Sequence, residues 1–186
     1  MTISLGIDQS YSGLAMVAYD SDTQRHRDYL HVFSANKYVT QSDRLDAVQT
    51  QVSLNIGDIK STFGRIAVVA MEGYAPGAKF GRELAGELGA AVKLALLDDL
   101  HRPACYPLIV APTKLKKYVT SKGTAAKAEM LLAVYKKWGV TYTDDNLADA
   151  YGLARAAHTW STRTGTKAET DTLKDLTRFK GETHLV

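Results

Sequence analysis

Cysteine is nearly absent: Cys105 stands alone in 186 residues. One thiol cannot close an internal disulfide, so a disulfide-framed secreted fold is excluded. It has no C-x-x-C partner, and the five histidines lack H-E-x-x-H spacing, so neither a zinc site nor a nucleophilic triad has support. Long apolar runs are missing as well. No stretch approaches 18 consecutive apolar residues, and the start MTISLGIDQS lacks the basic and apolar regions of a secretory leader. A soluble cytoplasmic protein with no membrane partner is expected. Net charge is also slight, at +3. That sum does not announce a nucleic-acid binder, so the placement of charges carries more information. There is no internal repeat and no low-complexity tract.

What is present is enough for one domain. A chain of this length buries roughly 68–70% of its unfolded surface. Ile3, Leu5 and Ile7 alternate with Thr2, Ser4 and Gly6, the period of a strand. Gly13 to Tyr19 reads as a second strand after a polar turn, and Tyr29 to Ser34 as a third, giving an antiparallel meander. The period then changes. Thr40 to Asp43 offers helix caps, and Leu45, Val48, Val52 and Ile56 follow at helical spacing. Arg65 to Met71 is a continuous apolar run, the mark of a strand buried on both faces. A helix over Arg82 to Leu100, a strand over Ala104 to Val110, and helices over Ala125 to Trp138 and Asp145 to Trp160 complete the pattern. The order predicts an α/β fold: a mixed five-stranded sheet, antiparallel meander then parallel strands, flanked by helices. Residues 1–160 form the expected domain, and the polar tail 161–186 an exposed or frayed extension.

Acidic residues fall at element ends. Asp8 closes the first strand, on the face opposite Ile3, Leu5 and Ile7. Glu72 directly follows the apolar run VVAM. Asp145 and Asp149 are four apart, and Asn146 and Asp149 three apart, so either pair shares a helix face. Singly these are turn formers and caps; together they can converge at one edge of the sheet. Two carboxylates about 4 Å apart repel by about 4 kcal/mol at an effective dielectric of 20. A cluster of them needs cations, and hard oxygen ligands favour Mg²⁺ or Mn²⁺. Two such ions suit phosphodiester hydrolysis.

Cations sit elsewhere in the chain. Lys114, Lys116, Lys117, Lys122 and Lys127 occupy one stretch free of acidic residues. Alone this reads as a solvated face; beside a carboxylate cluster it reads as a phosphate track. If all five met phosphates, the salt dependence of duplex binding would have a slope of about −4.5. Tyr74, Lys79, Phe80 and Arg82 mix aromatic and basic residues in a Gly-containing loop, which suits stacking on distorted bases or an ordinary loop equally.

Gly6-Ile7-Asp8-Gln9-Ser10, Ala70-Met71-Glu72 and Asp145-Asn146-Leu147-Ala148-Asp149-Ala150 resemble, in order, the motifs of the RuvC-type Holliday junction resolvases. The segment from Pro112 to Lys127 is similar to the basic segment of that family. The likeness spans about residues 3 to 160, and the short chain suits a phage or bacterial member. It implies an RNase H-like fold and a homodimer that cuts four-way DNA junctions symmetrically with Mg²⁺, two ions per site, Mn²⁺ substituting. Asp8, Glu72 and Asp149 match three metal-binding carboxylates. The fourth position falls on Asn146, with Asp145 one residue earlier as the alternative. Lys116 and Lys127 match the basic residues near the cut phosphate. Tyr74 and Phe80 lie near the aromatic of the junction centre, and the helix from Arg82 corresponds to the dimer contact. Three other readings remain: an RNase H-like nuclease for flaps, forks or RNA–DNA hybrids; a non-catalytic junction-binding module; and an actin-like nucleotide-binding protein, which the lack of a later Gly-rich phosphate motif disfavours.

Overall fold

A computed structural model describes residues 3–10, 13–73 and 82–178, the side chains of 35 and 82–84 excepted. Strands β1 (Ile3–Gln9), β2 (Gly13–Asp20) and β3 (Arg25–Val32) lead through a 3-10 turn at Ala35–Lys37 into helix α1 (Gln41–Phe63). Then come β4 (Ile66–Glu72), α2 (Arg82–Asp99), β5 (Leu108–Val110), α3 (Pro112–Thr120), α4 (Lys127–Trp138), α5 (Asp145–Thr162) and α6 (Lys167–Leu173). The sheet order is β3-β2-β1-β4-β5. β1 pairs antiparallel with β2, and β2 with β3; β4 is parallel to both β1 and β5. This is the mixed sheet expected from the pattern. Among the described residues, no helix is long and apolar enough to cross a membrane.

Strand alternation divides the core in two. Ile3, Leu5 and Ile7 join Met16, Val69 and Met71 beneath α1 and α2. On the opposite face Ala15, Val17, Val68 and Ala70 meet α3, α4 and α5. Thr40 caps α1 through a capping box with Asp43, inside the segment expected to hold the cap. Asp144 caps α5, its Oδ1 accepting from the amides of Asn146 and Leu147 at 2.9 and 3.1 Å.

Several boundaries differ from the expectation. β3 begins at Arg25, four residues before the expected start, and ends at Val32. Its turn is built by side chains: Asp20 accepts from the Asp22 amide at 3.0 Å and from the Thr23 hydroxyl at 2.6 Å. The edge strand is largely polar, so it lacks the apolar alternation that marks a strand. β5 is three residues long, because Ala104 and Cys105 are buried in a turn before it. Cys105 is a core residue. The lysine-bearing turn after β5 is a helix, α3, which buries Leu115, Tyr118 and Val119. The tail does not fray at once. α6 is capped by Thr166 and Glu169, Leu173 and Leu176 are buried, and the Trp160 indole donates to the Leu176 carbonyl at 3.0 Å. Seven residues are too few to show a helical period in sequence.

α5 crosses the sheet over Gly6. A methyl group at Gly6 would collide with the Ala150 carbonyl oxygen and the Ala154 amide nitrogen, both backbone atoms. Neither can yield without moving the helix. Gly6→Ala is therefore expected to cost about 3 kcal/mol and to lower the melting temperature by roughly 6–12 °C. A thermal melt of the variant unchanged from the native protein would contradict this packing.

Candidate active site

The parallel register pairs Gly6 with Ala70 and Ile7 with Met71. Asp8 and Glu72 therefore end neighbouring strands on the next rung. Alternation turns both toward α5, on the face of Gly6 and Ala70. Asp149 stands one residue before Ala150, whose carbonyl lies against Gly6. Sheet and helix thus deliver three carboxylates to one place, and Asp145 joins from one turn earlier in α5.

Their electrostatics record the crowding. Asp8 is only 6% exposed. Burial, and then the Glu72 charge, raise its pKa well above the usual carboxylate range. The two side chains also act on each other through a hydrogen bond, which raises Asp8 and lowers Glu72. Glu72 is also raised, chiefly by burial and secondly by Asp149, with Lys116 opposing. Asp149 is pushed up to about 7 by burial and then by Asp8 and Asp145, while Lys116 and Lys127 oppose. Asp145 behaves differently: its ion pair with Lys127 holds it below the usual range.

Does this set suit a divalent cation? Two observations bear on that. The donors are carboxylate oxygens, which hard cations prefer. In addition, Asp149 Oδ1 is buried and has no hydrogen-bond partner. As placed, no three of the described histidine, cysteine or acidic side chains form a group that could hold a metal ion. One of the acids, Asp145, is turned to the Lys127 ammonium. The residues fit a cation that takes the place of the ammonium at Asp145 and offsets the repulsion that raises Asp8 and Asp149.

The lysines divide. Lys116 acts on Glu72 and Asp149, and Lys127 pairs with Asp145, so both stand at the cluster. Lys114 pairs instead with Asp175, and Lys122 with Glu129 at 3.1 Å. Lys117 lines a groove between α3, α4 and α6 with Lys136 and Lys174. Residues on α3 are 100° apart, so Lys114, Lys116 and Lys117 cannot form one row. Asn146 lies at the helix start, its amide bound by Asp144. Tyr74, Lys79 and Phe80, and the side chain of Arg82, lie outside the described residues. Two contributors escaped the sequence reading. Asp144 adds negative charge at Asp8 besides capping α5. Gly6 sets the depth of α5, and its only sequence signal is a glycine inside an apolar strand.

No family model and no curated protein matches this sequence. Solved structures do match. The chain is similar to Thermus thermophilus RuvC, with a TM-score of 0.65 and 18% identity over 87% of this chain and 96% of that one. It is also similar to T. thermophilus RuvC in complex with Holliday junction substrate, with a TM-score of 0.68 and 19% identity over 88% and 96%. The likeness establishes the RNase H-like fold.

The raised carboxylates have a thermodynamic consequence. A group with a higher pKa folded than unfolded supports stability at low pH and loses that support as pH rises through its folded value. For Asp149 the window runs from the ordinary value of 3.8 to about 7. Asp149→Asn is therefore expected to melt near the native protein at pH 4 and above it at pH 8 without metal. Adding Mn²⁺ at pH 8 should raise the native melting temperature and the variant's less. Equal native and variant curves across pH, with no response to Mn²⁺, would remove the site from consideration.

Proposed function

We propose that the protein is a metal-dependent, structure-selective DNA endonuclease that resolves four-way junctions by paired symmetric nicks. The products carry 5′-phosphate and 3′-hydroxyl ends. The supporting observation is the gathering of Asp8, Glu72 and Asp149 at the ends of β1, β4 and the start of α5, with Lys116 and Lys127 beside them. It sits on a fold shared with a RuvC solved with Holliday junction substrate.

Each side chain has a task in this reading. Asp8, Glu72 and Asp149 would hold the divalent ions, with Asp145 or Asn146 completing the set. Such ions, Mg²⁺ or Mn²⁺, supply Lewis acidity and acidify water for in-line displacement. Because burial raises Asp8, Glu72 and Asp149, metal held by them would compete with protons, and its affinity would rise with pH. Lys116 offsets negative charge developing on the phosphate, in a setting where burial strengthens that attraction. Lys127 is available to a second phosphate oxygen once it leaves Asp145. The remaining lysines, 114, 117 and 122, contribute sequence-independent attraction to the DNA arms, as do Tyr74, Lys79, Phe80 and Arg82 near the branch.

A four-way junction has two-fold symmetry, which a two-fold protein matches. The homodimer is assigned to α2, where Leu94 and Leu97 are 51% and 47% exposed, an apolar face available for burial. Sedimentation at micromolar concentration is expected to show a species of twice the 20.3 kDa chain. A monomer alone would overturn the symmetric mechanism.

The decisive assay offers a synthetic four-way junction, a flap and an RNA–DNA hybrid side by side, with and without Mg²⁺. Paired nicks in the junction are expected, and only with metal. Asp8→Asn should reduce cutting by at least about 10³-fold while junction binding persists, a loss comparable to removing a principal electrostatic group. Cutting retained by Asp8→Asn would sink the metal assignment, and preference for the flap or hybrid would reassign the substrate.

A further inference from the structure

Lys127 opens α4 and Asp145 opens α5, and their side chains form an ion pair. The lysine is 78% exposed and the carboxylate 32%, so the ammonium covers the acid from the solvent side. Asp145 still acts on Asp8 and Asp149, and so does Lys127. One acid of the cluster is thus neutralised by the chain itself. An ammonium carries a single charge. A phosphodiester arriving at the cluster competes with Asp145 for it, and phosphate oxygens are strong acceptors. Asn146 offers no comparable hold, because its amide is neutral.

We propose that Lys127 is a latch on Asp145: in the free protein it withholds this carboxylate from divalent cations, and a substrate phosphate that draws the lysine away releases it. Cation binding and DNA binding then favour each other. This rests on the nuclease reading above and adds regulation to the same site. Reciprocity requires that the factor by which DNA raises metal affinity equal the factor by which metal raises DNA affinity. Couplings of this kind span roughly 5–150-fold, and about tenfold is expected here. The device keeps the metal set incomplete until a phosphate is in place, which limits action on DNA that does not reach Lys127.

The test is a pair of double-mutant cycles with Asp145→Asn and Lys127→Met, which separate coupling from simple addition of charges. Both side chains reach solvent, so the fold should be kept, and circular dichroism checks this. In the first cycle Mn²⁺ alone is titrated into DNA-free protein and followed by electron paramagnetic resonance. Asp145→Asn should change Mn²⁺ affinity less than about twofold in the native background and about tenfold with Lys127→Met. Lys127→Arg, which retains the ion pair, should follow the native protein. In the second cycle a four-way junction is bound in EDTA. Asp145→Asn should tighten binding several-fold, and the gain should vanish with Lys127→Met. Additive effects in both cycles would overturn the latch. If the native protein binds Mn²⁺ and the junction while the cycles are additive, only the latch fails. If it binds neither, the nuclease reading fails with it.

Discussion

The acidic end of the sheet depends on one close approach, the backbone of α5 resting against Gly6. Nothing larger than hydrogen fits there, because the facing atoms belong to the helix main chain. This contact fixes how deep the helix sits, and so how near Asp149 comes to Asp8 and Glu72. It also brings the positive end of the α5 dipole toward those carboxylates, which partly offsets their repulsion. A packing constraint two residues from Asp8 therefore acts as an electrostatic one. At the mouth of the cluster the Lys127 ammonium offsets one of its charges, that of Asp145.

That arrangement explains why bulk charge says so little. A net charge of +3 averages over two opposed populations. One is a buried group of acids gathered by β1, β4 and α5. The other is a set of lysines from α3 to the start of α4, of which Lys116 and Lys127 act on the acids. The rest are tied to Asp175 and Glu129 or line a groove elsewhere. The structure is therefore more economical in cations near the cluster than the run of five lysines suggests.

Much of this was legible in the sequence, and the exceptions have physical causes. β1, β2, β4, α1, α2, α4 and α5 could be read because each buries apolar side chains over several turns or rungs. Asp8, Glu72, Asp145 and Asp149 stood out as a set, because each lies at an element end from which they can meet at one edge of the sheet. β3 was misplaced because an edge strand need bury little. α3 and α6 were missed because short helices show barely two turns of pattern, and polar side chains dominated both. The convergence of the acids could be guessed from their positions at element ends. The splitting of the lysines could not, since it depends on helical rotation and on partners 61 residues away, as for Lys114 and Asp175.

The two edges of the sheet carry a consequence for how copies of this chain can meet. A strand edge with free amides and carbonyls invites another chain to extend the sheet. Here one edge, β5, has three residues, too few to template a partner. The other, β3, carries Arg25, Arg27 and Asp28, and its neighbours anchor them inward: Arg27 meets Asp58 at 2.8 Å and Asp28 accepts from the Tyr142 hydroxyl at 3.0 Å. Adding a strand there would compete with those ties. Lateral growth into a continuous ribbon is thus discouraged at both ends. The same blunted margins that guard a short, apolar sheet against aggregation direct any orderly self-association to the helical faces.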